Sequence, residues 1–209
     1  MATPRVPEDT RVPPVSLFPQ GSIRALDAGA YSDFSPLPAH ERSRIVDRSG
    51  KVIPESAETS ESSGRHILAA LDFNREEHII NVIKETKSIA TPGDTVILFN
   101  VLSPNVEGDG AVDKLRLRSD QRVAAMSKIA AEFPDTVKVI THVVHGKPEN
   151  QMLKVAQKHE FFERQKSDLI ILGKRKLSGV KKLPASSVSN PVIENAHCSV
   201  LVARGTMQK

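Results

Sequence analysis

Between Gly173 and Ser189 the chain reads GKRKLSGVKKLPASSVS, a stretch whose residue types suit an anion. Five cations, Lys174, Arg175, Lys176, Lys181 and Lys182, are followed by the hydroxyls of Ser186, Ser187 and Ser189 where a helical signal begins. Unpaired amides at a helix start point outward, the helix dipole favours negative charge, and serine hydroxyls add donors. The chemistry indicated is the holding of a phosphate. The same cations would also suit nucleic acid or an acidic protein surface such as a tubulin polymer, but a phosphate loop accounts for the hydroxyls as well.

Bond-making chemistry finds no comparable support. No serine sits in a nucleophile elbow, no Gly-Lys-Ser/Thr loop is present, and the 7 histidines have no metal-ligand spacing. His145 has no Ser, Cys or paired acid near it in sequence and is expected at the surface. Cys198 is the single cysteine, which excludes an internal disulfide, a CxxC pair and a cysteine-rich zinc site. Just before an apolar run, it reads as a buried, inert thiol. Aromatic residues make up 4% of the chain, with no Trp, too few for the stacking platforms of single-strand nucleic-acid binders. A net charge of +4 is too weak to name nucleic acid as a partner.

The elements that must position the loop alternate from His66 onward. Apolar runs at His66–Asp72, Thr95–Val101, Val137–Val144, Asp168–Gly173 and Ser199–Ala203 read as five strands. Helical periodicity separates them. Asn74 is expected to cap a helix with Ile79, Ile80, Ile83 and Ala90 on its apolar face. A second helix carries Val112, Leu115, Val123, Met126, Ile129, Ala130 and Phe133 on one stripe. A third starts at Pro148, tolerated in a first turn. Parallel neighbours need crossover connections, so this alternation predicts a doubly wound α/β domain with a five-stranded parallel sheet covered on both faces. Ligands on such sheets bind beyond the carboxyl ends of the strands, which directs attention to Asp72, Val101, His145-Gly146 and Gly173.

The run DLIILGKRKLSGVKKLPASSVSNPVIENAHCSVLVAR, with ILAALD and Gly146-x-Pro148 before it, resembles the universal stress protein family over about residues 65–205. The resemblance implies a Rossmann-like sheet and, commonly, a homodimer through the last strand, here Ser199–Ala203. ATP-binding members carry G-x-x-G-(nine residues)-G-[ST] at this loop. Gly173 matches the first glycine and Ser187 the final hydroxyl, but Lys176 and Ser186 stand where the other two glycines would be. Val188 and Ser189 follow in the same loop, Asp72 matches the acid that meets adenosine, and Val101 sits where the base is flanked. If both replaced positions need positive φ, each side chain costs roughly 1–2 kcal/mol. Together that weakens a nucleotide roughly 30- to 1,000-fold. Asn190-Pro191 is a further departure, expected to start the last helix late.

Residues 1–64 follow a different logic. Eight of the 14 prolines fall there, so long helices and central strands are not expected. ESAETSESSG, Glu55–Gly64, reads as a flexible linker. Ile45-Val46 and Val52-Ile53 flank Asp47-Arg48-Ser49-Gly50, the pattern of a short hairpin. Two readings of the arm stand: a disordered tail, or an extended segment docking Val15-Ser16-Leu17-Phe18 and Ile45-Val46 onto a partner protein. His159–Gln165 lengthens the third helical region relative to that family, and its Phe161-Phe162 pair reads either as core or as an added contact surface. No apolar run reaches the roughly 20 residues of a membrane span, and no signal-peptide pattern opens the chain, so a cytoplasmic location is expected. The expected function is a non-enzymatic binding subunit, its arm docked in a larger assembly of cytoskeletal or ciliary kind. The alternative is a homodimeric stress-response protein that binds ATP or AMP.

Overall fold

The computed structural model describes residues 37, 43–53, 64–103, 110–157, 166–174 and 188–204. In chain order the elements are β1 (Ser43–Asp47), β2 (His66–Ala70), α1 (Glu76–Ile89), β3 (Thr95–Leu102), α2 (Ala111–Ala130), β4 (Lys138–His145), α3 (Pro148–Gln157), β5 (Leu169–Gly173), α4 (Ser189–Asn195) and β6 (Ser199–Ala203). Each of the five apolar runs becomes a strand, and these five pair in parallel in the order β4-β3-β2-β5-β6.

The sheet has six strands, not five. β1 lies antiparallel on the outer edge of β4, from Ser43 opposite Val144 to Asp47 opposite Ile140. The Ile45-Val46 pair therefore does not serve as a docking spot for another protein. Val46 is buried in the core shared with α1 and α2, while Ile45 packs against Ile140 and Ile53 on the other face. The hairpin pattern is present as a tight return: Asp47 Oδ1 accepts from the Ser49 and Lys51 amides, and the Ile53 amide donates to Ile45 O at 2.9 Å. Arg44 pairs with Asp120 of α2, and Arg48 reaches Asp135 just beyond it. The Val15–Phe18 and His159–Gln165 segments lie outside the described residues.

Strand alternation builds one core on each face. Ile67, Ala69, Val96, Leu98, Val139, Val143 and Ile171 face α1 and α2. Leu68, Ile97, Phe99, Val144, Ile170 and Leu172 face α3 and α4. The helical expectations need three corrections. α1 starts after Arg75 without a side-chain cap: the cap position falls on Arg75, and Asn74 lies one residue earlier, in the turn that Asp72 closes. Its buried stripe is His78, Ile79, Val82, Ile83 and Thr86, and Ile80 is left 58% exposed. α4 is not delayed by Asn190-Pro191: it starts at Ser189, so Pro191 falls in the first turn, where no amide hydrogen bond is owed.

At the opposite end of the sheet, Asp94 ties the linker to the domain. The Arg65 amide and guanidinium and the Thr91 amide and hydroxyl all donate to its carboxylate. Burial alone would raise the Asp94 carboxyl, but these donors bring it down to about 2. Gly64 stands so close to Gly93 that a Cβ there would lie 2.2 Å from the Gly93 carbonyl oxygen.

Candidate functional site

β2 is where the winding reverses: β3 and β4 are laid to one side of it, β5 and β6 to the other. The crevice of a doubly wound sheet opens at the carboxyl ends on either side of that point. Register fixes what borders it. Ala70 lies opposite Phe99, and Ala69 opposite Ile171. Val101 follows two residues after Phe99 on β3, Gly173 two after Ile171 at the end of β5, and Asp72 two after Ala70 in the turn that leaves β2.

The β2 end is held by side-chain bonds that sequence reasoning did not find. Asn100, buried on β3, donates from Nδ2 to Leu71 O at 2.8 Å and so ties β3 to the residue before Asp72. Its Oδ1 is buried without a hydrogen-bond partner. Asp72 Oδ1 accepts from the Asn74 amide at 3.0 Å, and its carbonyl accepts from the Arg75 amide. The acid thus caps the turn into α1. Arg122 of α2 covers the Phe73 ring at 4.6 Å, and burial together with the Arg118 charge lowers its pKa, against the pull of Asp72.

Gly173 ends β5 without positive φ. Its missing side chain serves another purpose: a Cβ there would lie 3.2 Å from the Cβ, Cγ and Nδ1 of buried His78. This glycine admits the first turn of α1 against the strand end. Lys174 continues onto β6, its amide donating to Ala203 O at 3.0 Å. Val101 is half-buried against the α3–α4 core, and Val188 packs on the same core at the start of α4, where Ser189 is the first residue. Lys176, Ser186 and Ser187 lie outside the described residues.

His145 is not a surface residue. It ends β4 on the α2 face, buried, with Nε2 3.0 Å from Ser119 Oγ and Nδ1 enclosed without a partner. Burial pushes its pKa down to about 4, so the ring is neutral at pH 7. A Ser–His contact invites comparison with a nucleophile and its base, but Ser119 is sealed from solvent and no carboxylate orients the ring. Gly146, at φ 143, turns the chain from β4 into α3, and its amide donates to Leu102 O. Cys198 is half-buried, and burial pushes its thiol up, away from reactivity. Among the described residues no group of His, Cys, Asp or Glu is arranged to hold a metal. No helix among them is long and apolar enough to cross a membrane.

A model of the universal stress protein family matches residues 64–204. The chain belongs to that family. It is similar to the universal stress protein MJ0531 of Methanocaldococcus jannaschii, 29% identical over 157 residues, which cover 73% of this chain and 80% of the relative. Among solved structures it is similar to the hypothetical protein MJ0577, with a TM-score of 0.54 and 24% identity over 68% of this chain and 96% of the other. The hypothetical protein PH0823 matches with a TM-score of 0.51 and 20% identity over 69% and 99%. The two structural likenesses concern the fold. β1, at Ser43–Asp47, lies before the segment that the family model matches.

Proposed function

We propose that this universal stress protein binds an adenine nucleotide, ATP or AMP, without catalysing a reaction on it, and acts as a homodimer through the free edge of β6. The observation that carries the reading is the strand pairing at the switch point, which sets the end of β3, with Val101, and the end of β5, with Gly173, on either side of the β2 end that runs on to Asp72. The family resemblance assigns Asp72 and Val101 to the nucleoside and Gly173 to the phosphate loop. Lys176, Ser186, Ser187, Val188 and Ser189 complete the proposed ligand set. This ranks the nucleotide reading above the assembly subunit expected from the arm. Half of that expectation has lost its basis, since Ile45 and Val46 are buried in the chain's own sheet, and no cytoskeletal or ciliary setting finds support in the fold or the relatives.

The test is calorimetry of the full chain with ATP and AMP, beside a variant carrying Asp72→Ala and Ser187→Ala together. Binding of either nucleotide below about 1 mM that the double substitution abolishes supports the reading. No heat from either nucleotide at that concentration refutes it.

A further inference from the structure

The outer surface of α1 carries an apolar residue that the core does not use. Ile80 stands on the solvent ridge, 58% exposed. Beside it a groove of about 370 Å³ runs between α1 and α2, floored by Ile79, Ile83, Ala125 and Ile129 and closed at one end by Phe73. The other end is closed by the Lys87–Glu132 ion pair at 2.7 Å. An isoleucine beside an apolar groove is a ridge next to its own complement.

The charges around Ile80 select the occupant. Glu76 lies one turn before it and Lys84 one turn after it, both exposed, and neither is ion-paired among the described residues. The equal spacing has a two-fold consequence. If a second α1 lies antiparallel and centred on Ile80, each Glu76 faces the Lys84 of the other copy, and the two isoleucines meet in the middle. A parallel approach sets Glu76 against Glu76 and Lys84 against Lys84, which opposes binding. Across the groove, Lys128 sits one turn before Glu132. Since Glu132 is level with Lys87, Lys128 is level with Lys84 and adds a second cation for the incoming Glu76. We propose that the α1 ridge and the adjoining groove form a self-association surface, taking the α1 of a second copy antiparallel in an isologous, two-fold contact. This surface is separate from the β6 edge, so the two contacts can form independently.

Sedimentation equilibrium of the full chain tests the proposal. Ile80→Glu should weaken self-association by about tenfold or more, as burial of an unpaired charge at the centre of an interface does. Glu76→Lys and Lys84→Glu should each weaken it by about three- to tenfold, and the two together should restore it to within about threefold, because the exchanged charges again face opposites. Val202→Lys, on the β6 edge that the proposed homodimer uses, should lower total association and leave an α1-mediated step that Ile80→Glu then removes. The proposal is overturned if the wild-type chain stays monomeric at about 0.2 mM. It is also overturned if Val202→Lys abolishes association while Ile80→Glu does not, or if the double charge exchange is no better than the single changes.

Discussion

Acidification should cost this protein stability through His145, well above the pH at which its carboxylates protonate. The ring is enclosed between β4 and α2 with Nε2 on Ser119 Oγ, and burial takes its pKa from 6.5 to about 4. The unfolded chain therefore binds a proton that the folded chain refuses between pH 6.5 and 4. Stability is full above pH 6.5 and falls as the pH drops through that window. A gap of about 2.5 pH at about 1.4 kcal/mol each sets the limit at about 3 kcal/mol, of which about 2 kcal/mol is lost by pH 5.0. His66, also lowered by burial, acts in the same direction, so the wild-type curve alone does not isolate His145. His145→Gln does, because the amide can still meet Ser119 but does not titrate. Urea unfolding followed by far-ultraviolet circular dichroism at pH 7.5 and 5.0 supplies the comparison. Wild type should lose about 2 kcal/mol more than His145→Gln between these two values. Equal losses would mean that the folded state protonates His145 freely, and the burial argument would fail.

Other parts of the molecule give sharp expectations. Gly64→Ala should destabilise by about 1–3 kcal/mol in thermal unfolding, because the clash is with backbone at Gly93 and no side chain can turn away. Asp94→Asn should cost about 1–3 kcal/mol at pH 7 by weakening charge-assisted bonds from Arg65 and Thr91, and should remove stability that wild type loses between pH 3.8 and about 2, as read by acid titration of unfolding. Gly173→Ala should cost on the order of 1 kcal/mol and His78→Ala should relieve only part of it, because His78 Cβ is itself among the close atoms, so a double-mutant cycle should show partial coupling between the two. A chain beginning at residue 65 should melt below one beginning at residue 37, since only the longer one retains β1 on β4. Asp72→Asn keeps an acceptor for the Asn74 amide but loses the charge, while Asp72→Ala loses both; equal loss of nucleotide binding, with unfolding shifted only in Asp72→Ala, would assign the charge to the ligand.

The central fold was legible because each parallel strand is buried on both faces and so reads as a continuous apolar run, His66–Asp72 and Thr95–Val101 being the clearest. β1 was not legible as part of the sheet. Two apolar residues in a proline-rich stretch carry no period, and what makes them a strand is the edge of β4, about a hundred residues away. Long-range partners also hid the burial of His145, since Ser119 and the α2 wall come from another element. The apolar pattern sets Ile80 on one face with Ile79 and Ile83, whereas the buried stripe of α1 passes through His78 and Val82 instead. The Asn74 cap failed for a local reason: the turn closed by Asp72 carries the chain one residue further, so the cap position falls on Arg75.

These particulars shift where the case for a ligand rests. Gly173 looks like the surviving glycine of a phosphate loop, yet its close approach to His78 would require a small residue there even in a chain that bound nothing. Its retention therefore says little about phosphate. Asp72 also has a structural duty in the turn, but that duty uses Oδ1 alone, and the residue follows directly on β2, the strand at the switch point. A turn cap needs an acceptor and can be met by an uncharged residue. An acid there, with Arg122 near enough to feel its charge, is more than the turn requires. The weight of the nucleotide reading thus moves from the loop to the strand ends, where the sheet, and not the altered glycine motif, sets the geometry.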